Sequence, residues 1–155
     1  MEYVRVCDAF GTGFFYIPGT ETCLKIGGEV RFQVGVDRVD RALLDFGVND
    51  ASDWNSATRA RLEFDARNDT EYGTLQSFIR LEATSDIENV SGRVGLHSAF
   101  IDIAGLRVGH FAGWWDDDIA GESDVLSNIA RFNSIRYTYD GGAFSAGVRL
   151  TNWTL

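Results

Sequence analysis

From Leu24 to Val36 every even position is apolar or glycine: Leu24, Ile26, Gly28, Val30, Phe32, Val34 and Val36. The odd positions between them are Lys25, Gly27, Glu29, Arg31, Gln33 and Gly35, and Asp37 follows. Successive side chains on a strand point to opposite faces, so this segment has one greasy face and one charged face. The pattern recurs. In Ala57–Arg67, Ala60, Leu62, Phe64 and Ala66 oppose Arg59, Arg61, Glu63, Asp65 and Arg67. In Thr74–Thr84, Leu75, Ile79, Leu81 and Ala83 oppose Gln76, Arg80, Glu82 and Thr84. In Ala143–Thr154, Phe144, Ala146, Val148 and Leu150 oppose Ser145, Gly147, Arg149 and Thr151. Three further strands are predicted at Arg93–Ile103, Leu106–Trp114 and Arg131–Tyr139, which makes seven. The fourth and fifth are less clean, with His97 and His110 in register with apolar neighbours.

The connections are sorted by length. Arg38–Ser56, Ser85–Gly92 and Trp115–Ala130 are the longer ones; Asn68–Gly73, Ala104-Gly105 and Asp140-Gly141-Gly142 are short. An antiparallel membrane barrel alternates in this way, with short turns on the periplasmic side and long loops outside. A soluble sandwich or lipocalin-like barrel has no reason to do so. The predicted fold is therefore all-β, an antiparallel up-and-down transmembrane β-barrel. An arginine facing mid-bilayer lipid costs about 2–4 kcal/mol, so the arginine faces point inward. Trp114, Trp115 and Trp153 fall near strand ends, where interfacial aromatic girdles are expected.

Composition narrows the function classes. The chain has 155 residues, 17 glycines, a single proline and a net charge of −9. That charge leaves no basic stripe to neutralise phosphates and argues against a nucleic-acid partner. Nothing approaches the roughly 18 consecutive apolar residues of a membrane helix, which does not count against a barrel. Met1-Glu2-Tyr3-Val4-Arg5 reads as a mature N-terminus with no signal peptide before it.

Other chemistry finds little support. Cys7 and Cys23 flank a glycine- and aromatic-rich stretch; an even count and a short loop favour a disulfide in an oxidising compartment, with two buried free thiols as the alternative. Only His97 and His110 are at hand as further zinc ligands. Asp116-Asp117-Asp118-Ile119-Ala120-Gly121 begins like a calcium loop, but Ala120 and Ser127 stand where a ligand and a bidentate Glu belong. No motif joins His97 or His110 to Ser98 or an aspartate as a nucleophile and base, and no phosphate cradle follows a strand. No cofactor is expected. Glycosylation-type triplets at Asn68, Asn89 and Asn152 are short enough to arise by chance.

The run Tyr3-Val4-Arg5-Val6-Cys7-Asp8-Ala9-Phe10-Gly11-Thr12-Gly13-Phe14-Phe15-Tyr16-Ile17-Pro18-Gly19-Thr20-Glu21-Thr22-Cys23-Leu24-Lys25-Ile26-Gly27-Gly28 closely resembles the N-terminus of the alphaproteobacterial, Rhizobiales-type general porins. Beyond Phe32 the resemblance rests on strands and loops, and Glu29 replaces a usual aromatic residue. It implies a homotrimeric, sixteen-stranded channel in the bacterial outer membrane, surrounded by lipid and passing small hydrophilic solutes and ions. Its third long loop is expected to fold into the lumen as a constriction. Members are about twice this length, so residues 1–155 read as the N-terminal half of such a porin. Residues 1–23 form a Cys-bounded segment and 24–155 about seven strands. A small self-closing eight-stranded barrel is the alternative, with an interior just filled by side chains.

The expected pore wall is basic: Arg31, Arg59, Arg61, Arg80, Arg136 and Arg149 occupy the inward phase, joined by Arg107. The third long loop, about 115–130, carries Asp116, Asp117, Asp118, Glu122 and Asp124. Acids facing a wall of arginines would set a transverse field across the narrowest part of a pore. Local pairing of the arginines with Glu63, Asp65 and Glu82 is compatible with that role.

Overall fold

A computed structural model of the protein describes residues 5–35, 55–85, 92–114 and 131–151. They form one sheet of eight strands in chain order, every neighbour antiparallel. The strands are β1 (Phe15–Tyr16), β2 (Cys23–Gly35), β3 (Asn55–Thr70), β4 (Gly73–Ser85), β5 (Arg93–Ile103), β6 (Leu106–Ala112), β7 (Arg131–Asp140) and β8 (Ser145–Thr151). This meander is what half of a porin-type barrel requires. Among the described residues β1 and β8 do not pair with each other, so the sheet is open.

The seven predicted strands are present, preceded by the two-residue β1. The connection predicted at Asn68–Gly73 shrinks to Glu71-Tyr72, because Thr70 pairs with Gly73, Asp69 with Thr74 and Asn68 with Leu75. Polar residues there continue the ladder past the apolar band. The predicted fifth strand stops short of Trp114, at Ala112. Ala104-Gly105 forms a two-residue hairpin turn with φ of 49° and 83°. Positive φ at both central positions suits the right-handed twist of the flanking strands.

One irregularity accounts for the blurred fourth strand. Arg80 pairs with Ser98 but Leu81 pairs with Leu96, so His97 is an extra residue on β5. Such a bulge shifts the alternation by one. Val94 and Leu96 before it, and Ala99 and Ile101 after it, therefore share one face. His110 has no bulge of its own: it pairs with Ala99 and Asn133, in the apolar phase.

The burial pattern is inside out. Val30 is 78% exposed, Leu150 69%, and Phe32, Leu62, Ile79, Leu96, Ile101, Ile135 and Val148 are all exposed on the apolar face. The buried polar residues, by contrast, are Ser98, Ser134 and Arg136, the last only 8% exposed. Soluble proteins rarely expose contiguous apolar surface beyond a few hundred Å². A sheet that shows its aliphatic residues outward and packs its arginines is suited to lipid on one side and water on the other.

Candidate functional site

The polar face is built row by row from the strand register. One row runs Cys23–Arg67–Gln76–Asp102–Arg107–Arg136–Arg149 across β2 to β8. A second holds Glu29, Arg61 and Glu82, a third Arg31, Arg59 and Thr84, and Glu63 and Arg80 lie between. The seven arginines singled out from the sequence thus lie on one face. Lys25, Arg67 and Arg93 share it as well.

Across β2–β4 the charges interlock. Glu29 Oε1 lies 3.0 Å from Arg59 Nη2 and 3.3 Å from Arg61 Nη1. Arg61 Nε donates to Glu82 Oε2 at 2.6 Å, and Arg80 Nε donates to Glu63 Oε1 at 2.7 Å. Arg67 grips both oxygens of Asp65, at 3.1 and 2.8 Å, while Gln76 donates to the same carboxylate at 2.9 Å. Such pairs satisfy most of the local charge. Arg31 differs: it stands directly opposite Arg59.

The chemistry changes on β6–β8. Arg107, Arg136 and Arg149 are neighbours in one row, and like charges directly opposite are destabilising. An aromatic floor supports them. The Phe111 ring, 3% exposed, lies 5.7 Å from the Arg107 guanidinium, 5.2 Å from Arg136 and 4.9 Å from Arg149. Arg107 also stacks 4.2 Å from Phe100 and donates to Asp102 Oδ2 at 2.8 Å. Arg149 reaches across two strands, donating to Ala112 O at 2.9 Å, Phe111 O at 3.2 Å and Ser134 Oγ at 2.8 Å. A guanidinium over a ring gains about 0.5–2 kcal/mol, enough to offset part of the repulsion. Aromatic residues at polar-phase positions (Phe78, Phe100, Phe111 and Phe132) are the sequence signal for this floor.

The bulge places His97 beside Ser98 on the polar face. His97 Nδ1 and Ser98 Oγ share a hydrogen bond of 3.0 Å, but Glu82 Oε2 is 3.9 Å from His97 Nε2, beyond hydrogen-bonding reach. Among the described residues the pair therefore has no third group placed to orient a base. A cleft of about 470 Å³ at this point is lined by Glu82, Arg93, His97, His110 and Arg131, among others. No cluster of metal-ligating side chains occurs among the described residues.

Cys7 and Cys23 are joined in a disulfide with a Cα–Cα distance of 6.0 Å. The acids Asp116, Asp117, Asp118, Glu122 and Asp124 lie outside the described residues, as do Trp115 and Trp153.

The sequence profile of the porin subfamily matches residues 1–154. A putative outer membrane protein, y4fJ, of Sinorhizobium fredii is 50% identical over 154 residues, covering 97% of this chain and 45% of that protein. Outer membrane protein IIIA of Rhizobium leguminosarum bv. viciae is 47% identical over 149 residues, covering 96% of this chain and 38% of the relative. Porin Omp2b of Brucella suis is 38% identical over 170 residues, with coverages of 97% and 45%. The chain thus spans less than half the length of these relatives. No solved structure matches it.

Proposed function

This chain belongs to the porin subfamily of bacterial outer-membrane proteins, and on that premise we propose that the full-length protein forms a water-filled channel for passive diffusion of small hydrophilic solutes and ions. The observation that carries the reading is the inside-out sheet: aliphatic residues exposed on one face, a charged and hydrogen-bonded wall on the other. Among the described residues β2 beyond Leu24 and β8 each pair on one side only, which supports closure by further strands, since backbone groups inside a bilayer must be satisfied within the protein. Homotrimeric assembly is part of the proposal. The outer face of β2–β5 intersperses the small residues Gly28, Ala60, Ala83 and Ala99 with large ones such as Phe32, Leu62, Ile79 and Leu96, and that of β7–β8 carries Tyr137, Tyr139 and Phe144 at the turn end. Small residues permit close subunit approach, and tyrosines suit a lipid interface.

The arginine wall supplies the selectivity. Over β2–β4 Arg59, Arg61, Arg67 and Arg80 pair with Glu29, Glu63, Asp65 and Glu82; over β6–β8 Arg107, bonded to Asp102, stands with Arg136 and Arg149 in a basic row on aromatic rings. The loop that leaves β6 and enters β7 carries the five acids. Folded inward against this row, they would set a transverse field that orients dipolar solutes. Replacing Asp116, Asp117, Asp118, Glu122 and Asp124 by Asn and Gln in the full-length porin tests this. The reversal potential in planar bilayers is expected to shift toward anion preference. The shift is expected to shrink as the screening length falls from about 10 Å at 0.1 M salt to about 3 Å at 1 M. Unchanged selectivity at low salt refutes the inward loop.

A further inference from the structure

Near Cys23 the residues before β1 curl back toward the polar face, since Cys7 lies 6.0 Å from Cys23 between Cα atoms although β1 stands between them in the pairing order. Val6 bridges Phe15, and Phe15 pairs with Leu24, so these three share the apolar phase. Cys7 N donates to Phe14 O at 3.0 Å and Tyr16 N to Arg5 O at 2.9 Å, which puts Cys7, Phe14, Tyr16 and Cys23 on the polar side. Between Cys7 and Phe14 the chain turns through a single 3-10 turn, Asp8–Phe10, with φ of 99° at Gly11 and 91° at Gly13. This loop lies over the polar face. Phe14 beneath it is buried with both cysteines, Phe10 packs edge-on against Phe14 at 6.1 Å, and Lys25 and Arg67 stack on Phe14 at 5.7 and 5.0 Å. Asn68 Nδ2 donates to Thr22 Oγ1 at 2.9 Å and fastens the far side to β3.

Position gives this knob its meaning. Cys23 pairs with Arg67, three residues from Thr70, where β3 turns back toward β4. The loop therefore sits at the short-turn end of the wall, opposite the end from which the acidic loop departs. Asp8, Ala9, Thr12 and Gly13 keep their outer surfaces exposed. The geometry points to a second narrowing of the channel: the disulfide-closed loop 8–13 is a fixed size filter at the short-turn mouth, independent of the acidic loop. The inference rests on the channel reading above. Sixteen strands about 4.8 Å apart and tilted by about 40° close to a diameter of roughly 32 Å between backbones. Cys7, held 6.0 Å from Cys23 between Cα atoms, keeps the loop against the wall, where it takes space from a mouth of that width.

Polymer exclusion in planar bilayers tests it, using the full-length porin and poly(ethylene glycol) of graded size added to one side at a time. Replacing Asp8–Gly13 by two glycines is expected to raise the largest polymer that depresses conductance from the short-turn side. The limit from the long-loop side stays as in the wild type. Thr12→Trp, at an exposed position that leaves the knob's core intact, is expected to lower the short-turn limit, and it keeps the test decisive should the deletion fail to insert. A conducting wild type whose short-turn limit is unmoved by either change overturns this inference alone. A wild type that carries no current overturns it together with the channel.

Discussion

Leu62→Arg separates a lipid-facing wall from a water-facing one by the sign of its effect. Leu62 lies on the apolar face of β3, 43% exposed, in register with Gly28 and Leu81. It is seven residues from Asn55 and eight from Thr70 at the strand ends (62 − 55 and 70 − 62). At about 3.4 Å per residue and a tilt of about 40°, each arm spans roughly 18–21 Å along the membrane normal. The apolar band of such barrels is about 25 Å tall, so Leu62 stands near its middle. Arginine there is expected to cost about 2–4 kcal/mol, a loss of roughly 30- to 700-fold in the folding equilibrium. In a water-soluble sheet the same change at an exposed position would fall within about 0.5 kcal/mol of neutral. The assay is urea-dependent refolding of the full-length protein into phospholipid vesicles, followed by tryptophan fluorescence, with Leu62→Ala as the control for lost side-chain area. A neutral or stabilising Leu62→Arg refutes the assignment of this face to lipid.

Two further outcomes follow from the polar side and the disulfide. A double-mutant cycle on Arg61 and Glu82, using Arg61→Met and Glu82→Gln in the same refolding assay, is expected to give a coupling of about 0.2–1 kcal/mol at low salt that weakens at 1 M, because the pair is only partly screened from solvent. A salt-independent zero removes the ion pair. Intact protein from an oxidising compartment should weigh two hydrogens less than its reduced form, and replacing both cysteines by serine should destabilise by roughly 3 kcal/mol for a loop of this separation; freely alkylated thiols count against the bridge.

Much of this architecture is legible in the order of residues because a barrel wall has a period of two and little else to hide it. Leu24–Val36 alone dictates one greasy and one charged face, and Ala104-Gly105 dictates a tight hairpin. The bulge is less legible. Its trace is present, since the apolar phase runs through Val94 and Leu96 and resumes at Ala99 and Ile101, but one extra residue looks like noise until pairing is known. The aromatic floor is hidden for a related reason. Phe100 and Phe111 break the polar phase, and only the register shows that Arg107, Arg136 and Arg149 converge on Phe111 from three strands. Asn68–Thr70 resembled a loop because composition at a strand end is set by water, while pairing there is set by the neighbouring strand.

The alternation of β2 also bears on how such a chain travels. A wall built from continuous apolar runs would carry segments of about 20 greasy residues, long enough to lodge as helices in the first bilayer met during export. With a polar or glycine residue at every second position from Lys25 to Gly35, no stretch of β2 reaches that threshold, and its hydrophobicity becomes collective only when the strands pair. The same spacing that sets lipid against water in the finished sheet thus lets the unpaired chain cross one membrane and stop in another.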